Sequence, residues 1–141
     1  MALWSLFFVV LELLGSSQAL VSSRMGRPVM MSSTLSDVTR QKIDGLVKEN
    51  KVMLFMKGNK VFPQCGFSNM AVQILTAMET PFETYDVLSD EYVRQGIKEY
   101  ADWPTIPQLF VAGEFVGGSD IMLEMYQGGE LQEMIELANA N

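Results

Sequence analysis

The one cysteine of the chain, Cys65, lies where a thiol would be chemically active. An apolar run of strand length, residues 52–56, precedes it, and apolar residues at helical spacing follow it. We therefore predict that Cys65 lies in a loop at the N-terminal end of a helix. Unpaired N–H groups and the positive end of the helix dipole would favour a thiolate there, and Lys57 or Lys60 would add to the effect.

The alternative is an inert cysteine that packs in the core as a small hydrophobic side chain. The neighbouring residues are typical of a loop and argue against a core position: Pro63, Gly66 and Ser68. We interpret Cys65 as a reactive or metal-ligating thiolate.

Composition excludes several kinds of catalytic and metal site. The chain has 141 residues, enough for one domain with a core, and it has no histidine. Catalysis by Ser-His-Asp or Cys-His groups, histidine metal sites and histidine pH switches are therefore excluded. A single cysteine also excludes an internal disulfide and a zinc site built from several cysteines of one chain. The net charge of −7 argues against a nucleic acid partner, because a phosphate backbone is bound by basic residues.

The first 33 residues have the features of a targeting leader. Residues 3–14 form an almost continuous apolar run, shorter than the roughly 20 residues that a membrane span needs. Ser17-Gln18-Ala19 resembles a small-residue cleavage site, and the stretch that follows carries Arg24, Arg27, several serines and no acidic residue. We interpret residues 1–33 as a signal peptide plus a transit-like segment, cleaved or disordered, and we expect no membrane segment in the mature form.

Such a two-part leader resembles that of proteins imported into algal plastids of secondary origin, although Leu20 stands where those leaders usually have phenylalanine. The resemblance implies a plastid location. A mitochondrial presequence is the alternative, and secretion fits poorly with an unpaired cysteine.

After the leader, the sequence pattern predicts nine elements in the order α-β-α-β-α-β-β-α-α. They are a helix at 36–49 with Ser36 as N-cap, a strand at 52–56, a helix after Cys65 that stops near residue 79, a strand at 82–87, a helix capped by Ser89, a hairpin of 108–112 and 114–116, a helix opened by Ser119 and Asp120, and a last amphipathic helix. The inward faces include Val38, Phe67 and Met134. The helix between the first two strands makes them parallel, and the fold class is α/β, a mixed four-stranded sheet flanked by helices.

Three separated motifs lie within this pattern: Lys57 with Cys65-Gly-Phe-Ser68, Trp103-Pro-Thr-Ile-Pro107-Gln108, and Gly117-Gly-Ser-Asp120. With this element order the chain resembles a monothiol glutaredoxin of the Cys-Gly-Phe-Ser class, and most closely its single-domain plastid and mitochondrial members. The resemblance implies a thioredoxin fold and a glutaredoxin domain at residues 36–139.

Ser68 occupies the position at which dithiol relatives have a second, resolving cysteine. Its hydroxyl can hydrogen-bond to the sulfur but cannot accept a disulfide, so any disulfide on Cys65 must be resolved by an outside thiol. Glutathione is the obvious one. The resemblance assigns both the redox chemistry and the metal ligation to Cys65.

The resemblance also implies a glutathione groove. Lys57 and Arg94 would hold the glycyl carboxylate, with an ordinary solvated helix residue as the alternative for Arg94. Pro107 would follow a cis bond that presents the Ile106 backbone to the ligand, with a trans-proline turn as the alternative. The rest of the implied site is Thr105 in that loop, Gly66 and Phe67 beside the cysteine, and Gly118, Ser119 and Asp120 for the γ-glutamyl carboxylate and amine, or for capping alone.

The family implies carriage of a [2Fe–2S] cluster by a homodimer, in which each chain supplies Cys65 and each of two glutathiones supplies a thiolate. The recipients would be apo iron–sulfur proteins, and BolA-like proteins are further family partners. The alternative is a glutathione-dependent thiol–disulfide oxidoreductase that removes glutathione from proteins. It needs the same groove, and the family associates a long loop such as residues 58–64 with weak oxidoreductase activity.

Overall fold

The computed structural model describes residues 35–141. The leader predicted at residues 1–33, with its cleavage site and its plastid or mitochondrial signals, lies outside the described residues. Among residues 35–141, no helix combines the length and the apolar character that crossing a membrane requires.

Residues 35–141 form five α-helices and four β-strands in the predicted order. The helices are α1 (Asp37–Glu49), α2 (Gly66–Ala77), α3 (Glu91–Tyr100), α4 (Ser119–Gly128) and α5 (Glu130–Ala140), and the strands are β1 (Val52–Met56), β2 (Glu83–Asp86), β3 (Gln108–Val111) and β4 (Glu114–Gly117). The boundaries of β1 are those predicted, and α2 ends slightly earlier than predicted.

The four strands form one mixed sheet in the order β2-β1-β3-β4. β1 and β2 run parallel with α2 as the connection between them, and Leu54 of β1 pairs with Thr84 of β2. β1 and β3 are antiparallel, with Leu54 opposite Leu109, and β3 and β4 form an antiparallel hairpin. The predicted parallel βαβ unit and the mixed four-stranded sheet are therefore confirmed.

The central strand β1 is buried along its whole length. Leu54 belongs to a core cluster with side chains of α2, α4 and α5, and the adjacent Phe55 belongs to a second cluster with side chains of α1 and α3. Because successive side chains of a strand point to opposite faces, helices cover the sheet on both sides. This double cover fixes the carboxyl end of β1, from which the loop to Cys65 departs.

Three side chains predicted to face inward are exposed: Val38 (76%), Phe67 (58%) and Met134 (36%). The buried face of α1 is centred on Ile43 and Val47. Val38 lies five residues before Ile43, which is about 140° around the helix axis and therefore on the solvent side. The exposed Phe67 has a different reason, because it lines the pocket described below.

The N-cap of α1 is predicted correctly and that of α3 is not. The hydroxyl of Ser36 accepts the N–H of Thr39 at 3.2 Å, as expected of a capping serine. α3 is capped by Asp90, whose carboxylate accepts the first-turn N–H groups at 3.0 and 3.2 Å. Ser89 instead donates its hydroxyl proton to the carbonyl of Asp86 at 2.6 Å, so it is engaged in the preceding turn.

Candidate functional site

Cys65 is the N-cap residue of α2, with an extended backbone at φ −154° and ψ 144°. Its side chain is half-buried rather than sealed in the core. The predicted position, in a loop at the N-terminal end of a helix, is confirmed. The sulfur is therefore close to the backbone N–H groups of the first helical turn, which have no partner within the helix.

The environment of Cys65 favours the thiolate. Burial raises the pKa of the Cys65 thiol, but hydrogen bonds from the backbone N–H groups of Ser68 and Phe67 lower it, and so do the Ser68 hydroxyl and the charge of Lys57. The net effect is a pKa below that of an ordinary thiol. Lys60 does not share this role, because its ammonium group lies 3.7 Å from the carboxylate of Glu83.

Ser68 connects the end of β1 to the start of α2. It is fully buried, and its Oγ accepts the backbone N–H of Lys57 at 3.1 Å. Since that bond uses an oxygen lone pair, the hydroxyl proton is left for the sulfur of Cys65. Ser68, which stands where dithiol relatives have a resolving cysteine, therefore stabilises the Cys65 thiolate.

Replacing Ser68 by alanine is expected to raise the pH midpoint of Cys65 alkylation, because it removes a hydrogen bond that lowers the pKa of the thiol. The rate of alkylation by iodoacetamide, measured against pH, tests this. The parent protein should have its midpoint below the value of about 8.5 for a free cysteine. Lys57→Ala should raise the midpoint less, and Lys98→Ala, outside the site, should leave it unchanged. An S68A midpoint equal to that of the parent would contradict the role given to the hydroxyl.

The loop between β1 and Cys65 is held by side chains that the sequence patterns did not single out. Asp86, at the end of β2, accepts the backbone N–H of Gly58 at 2.9 Å. Asn59 accepts the N–H groups of Val61 and Phe62, both at 2.9 Å. The hydrogen bonds fix the loop with its two apolar tip residues in solvent, Val61 at 74% and Phe62 at 68% exposure. The Asn59 contact is an Asx turn, a signal that the sequence does carry.

A pocket of about 380 Å³ lies beside this loop. Eight of the predicted site residues line it: Lys57, Phe67, Thr105, Ile106, Pro107, Gly118, Ser119 and Asp120. Three further residues line it that were not predicted: Trp103, Pro104 and Ile121. The structure therefore brings the three separated motifs to one cavity.

The other predicted site residues lie outside the lining of this pocket. Cys65 and Gly66 precede Phe67 at the start of α2, so the thiol is at the edge of the cavity. Arg94 lies on α3 with its guanidinium 3.4 Å from the carboxylate of Glu91. Its Nε is buried and has no hydrogen-bond partner among residues 35–141.

The loop from Trp103 to Pro107 forms one wall of the pocket. The Ile106–Pro107 peptide bond is cis, as predicted. Gln108, at the start of β3, is fully buried, and its Nε2 donates to the carbonyls of Trp103 at 3.0 Å and Thr105 at 3.1 Å. Gln108 thus holds this loop in place through two hydrogen bonds. The sequence does not indicate this role, because no periodic pattern distinguishes a single buried glutamine in a strand.

The N-terminus of α4 also contributes to the lining of the pocket. Gly118 is the N-cap, and no side chain of residues 35–141 caps the first turn. Ser119 is buried, and Asp120 is the acidic residue of that turn. The free N–H groups and the helix dipole suit a carboxylate, and Lys57 adds a positive charge to the same cavity.

Within residues 35–141, no group of three or more cysteine, aspartate or glutamate side chains could hold a metal ion. Cys65 is the only thiol of the whole chain. A metal centre ligated by thiolates alone would therefore need further thiolates from another molecule.

Three comparisons with known proteins found similar sequences and similar structures. Residues 52–116 match the glutaredoxin family model. An uncharacterized monothiol glutaredoxin of Synechocystis (ycf64-like) is 67% identical over 103 residues, which are 73% of this chain and 96% of that protein. The chloroplastic monothiol glutaredoxin-S7 of Oryza sativa is 56% identical over 104 residues, which cover 74% of this chain and 62% of the rice protein. The solution structure of reduced apo GrxS14 from poplar matches with a TM-score of 0.69 and 50% identity, covering 77% of this chain and all of that one.

Proposed function

Because the chain belongs to the monothiol glutaredoxin family and has its thioredoxin fold, we propose that it binds glutathione and carries a [2Fe–2S] cluster to apo iron–sulfur proteins. The observation that supports this most is the single, half-buried thiol of Cys65 at the edge of a pocket suited to carboxylates. Such a thiol is accessible to an outside sulfur ligand and stays deprotonated more readily than an ordinary cysteine.

The number of thiolates that each chain supplies sets how many chains and glutathiones one cluster needs. A [2Fe–2S] cluster is commonly held by four thiolates, and one chain supplies one. Two copies of the chain and two glutathiones supply all four. The lowered pKa of Cys65 fits this use, since metals bind the thiolate and not the thiol. Because glutathione exchanges with solvent, a cluster held this way would be released easily, which suits cargo more than a fixed redox centre.

The pocket offers a complement to each charged group of glutathione. Lys57 supplies a cation for the glycyl carboxylate, and Arg94 would join it if its side chain turned from Glu91. The N-terminus of α4 would receive the γ-glutamyl carboxylate, and Asp120 would pair with the amine. Glutathione in this pose would carry its thiol toward Cys65.

The surface around Cys65 suits the approach of a second chain. Val61 and Phe62 at the tip of the preceding loop and Phe67 in the first turn of α2 are all exposed. Exposed apolar side chains close to one another often mark an interaction surface. In a cluster-bridged homodimer, Phe67, which lies two residues after Cys65, would be covered as the two Cys65 residues come together.

The second candidate function is removal of glutathione from proteins, and the lowered pKa of Cys65 favours it as well. The Cys65 thiolate would attack the glutathione sulfur of a protein–glutathione disulfide and release the protein thiolate. A second glutathione would then attack the Cys65–glutathione disulfide, which restores Cys65 and yields glutathione disulfide. The chain would be an enzyme in this role, and we rank it second because the family associates a long loop before the cysteine with weak activity.

We place the mature protein in a plastid, with the mitochondrion as the alternative. The rice relative is named as chloroplastic, which supports a plastid. A fluorescent protein fused behind residues 1–33 should colocalise with plastid pigment, and colocalisation with a mitochondrial dye would favour the alternative. A BolA-like protein is a further proposed partner; it would have to supply any histidine ligand, since this chain has none.

Lys57→Ala and Asp120→Ala are each expected to weaken glutathione binding about tenfold, because each removes one charged contact worth roughly 1.5 kcal/mol or more. Calorimetry on the metal-free protein measures the affinity, and the visible absorption of the reconstituted protein measures cluster retention. Lys98→Ala and Asp37→Ala are matched controls, a lysine outside the pocket and a first-turn aspartate of α1. If both pocket variants bind glutathione as the parent does, the proposed contacts are wrong.

A further inference from the structure

The indole N–H of Trp103 is a buried donor without an acceptor. Its Nε1 is inaccessible to solvent and has no hydrogen-bond partner among residues 35–141. Leaving such a group unsatisfied costs free energy, so buried polar atoms of this kind are rare and usually have a reason. A ligand that supplies the acceptor would remove this cost when it binds.

The position of the indole is fixed from two sides. Its ring packs against Phe115, with the ring centroids 5.6 Å apart, and the backbone carbonyl of Trp103 is held by Gln108. A Cβ built on Gly118 would lie 3.4 Å from Nε1 and 3.5 Å from the carbonyl oxygen of Pro107. The indole N–H is therefore next to the N-cap of α4, at the pocket that Trp103 itself lines.

We propose that Trp103 is a specificity-determining residue of this pocket, whose indole N–H donates to the carboxylate bound at the N-terminus of α4. An indole nitrogen only donates, so its partner must be an acceptor. The first-turn N–H groups of α4 also need an acceptor, and the helix dipole favours a negative one. A carboxylate satisfies both sets of donors at once. This inference rests on the proposed glutathione site and assigns the γ-glutamyl carboxylate to Trp103.

The glycine at position 118 fits the same explanation. Gly118 has φ −87°, which any residue adopts, so its backbone does not require glycine. What a side chain there would change is the space between the indole N–H and the Pro107 carbonyl. A Cβ at this position would add a group directly beside Nε1, the atom that a ligand oxygen must reach.

The test uses the full chain carrying Trp4→Phe, which leaves Trp103 as its only tryptophan. Titration with glutathione should move the ¹⁵N–¹H indole resonance of Trp103 downfield to saturation. In the same background, Trp103→Phe should weaken glutathione binding about tenfold while the ring contact with Phe115 keeps the melting temperature close to that of the parent. Glutathione monoethyl ester is blocked at the glycyl carboxylate only. Its affinity should therefore also fall about tenfold when Trp103 is replaced by phenylalanine.

Gly118→Ala is the second variant, and it keeps the indole in place. The added methyl group should reduce glutathione affinity at least tenfold by filling the space beside Nε1, and Gly45→Ala on α1 is the matched control that should have no effect on binding. The inference is overturned if Trp103→Phe and Gly118→Ala both bind glutathione as their background does, or if the indole resonance does not move during the titration. It is also overturned if Trp103→Phe weakens the binding of glutathione but not that of its monoethyl ester. Binding is measured without iron. A protein that binds glutathione through Trp103 but retains no cluster would therefore contradict the proposed cluster carriage and leave the contact of Trp103 with glutathione standing.

Discussion

Replacing Cys65 by serine is expected to abolish cluster retention completely, the largest effect of any single substitution in the site. Cys65 is the only thiol that the chain can offer, and a serine hydroxyl is not deprotonated at neutral pH as a thiol can be. After anaerobic reconstitution with iron, sulfide and glutathione, the visible absorption and the bound iron should fall to the level of protein that was not reconstituted. Removal of glutathione from proteins should also stop.

The same substitution should leave the fold intact. Cys65 is half-buried at the N-cap of α2, and serine is among the preferred N-cap residues, so the melting temperature should stay level or rise slightly. Loss of the cluster can therefore be separated from loss of structure. A C65S protein that retains iron and colour would show that the cluster is bound elsewhere.

Gly58→Ala is expected to produce the largest loss of stability, about 3 kcal/mol or more. Gly58 has φ +87°, a conformation that strains any residue with a Cβ, and the new Cβ would be 2.3 Å from the carbonyl oxygen of Phe62. The backbone must shift, and the shift would break the hydrogen bond from Gly58 to Asp86. For a domain of this size, the melting temperature should fall by roughly 10–20 °C.

The consequence of Gly58→Ala should extend to the site. The loop that Gly58 begins leads to Cys65, and the Gln64 N–H donates to the Lys57 carbonyl at 2.9 Å within it. Glutathione affinity should therefore fall together with stability. Gly45→Ala is the matched control, since its Cβ would meet only a side-chain oxygen of Glu49 at 3.9 Å and should stabilise the helix by up to about 1 kcal/mol. Equal melting temperatures for G58A and the parent would mean that the loop is not held as described.

The fold could be predicted well because its signals are local. The apolar run of β1 has the length and the turn residues of a buried strand, and its neighbours at helical spacing form α2. The error at the N-cap of α3 arose because two residues compete for one role. Ser89 and Asp90 are both good caps, and only the turn hydrogen bond of Ser89 decides for Asp90.

The candidate site was predictable in part. The resemblance to a family supplied most of the pocket-lining residues, since their three motifs carry characteristic residue types. It did not supply the residues that hold those motifs in place. Asp86 binds Gly58 across 28 positions of the chain, and such a contact leaves no pattern in either segment. The sequence marks Trp103 only as the first residue of one motif, because its lack of a hydrogen-bond partner among residues 35–141 exists only in the folded structure.

Native mass spectrometry of the reconstituted parent protein tests the central claim most directly. The expected species contains two chains, one [2Fe–2S] cluster and two glutathiones, and it should break down to single chains when glutathione is removed. A single chain without iron that rapidly removes glutathione from proteins would contradict the claim and favour the enzyme. A dimer that holds iron without any glutathione would contradict the shared ligation on which the account depends.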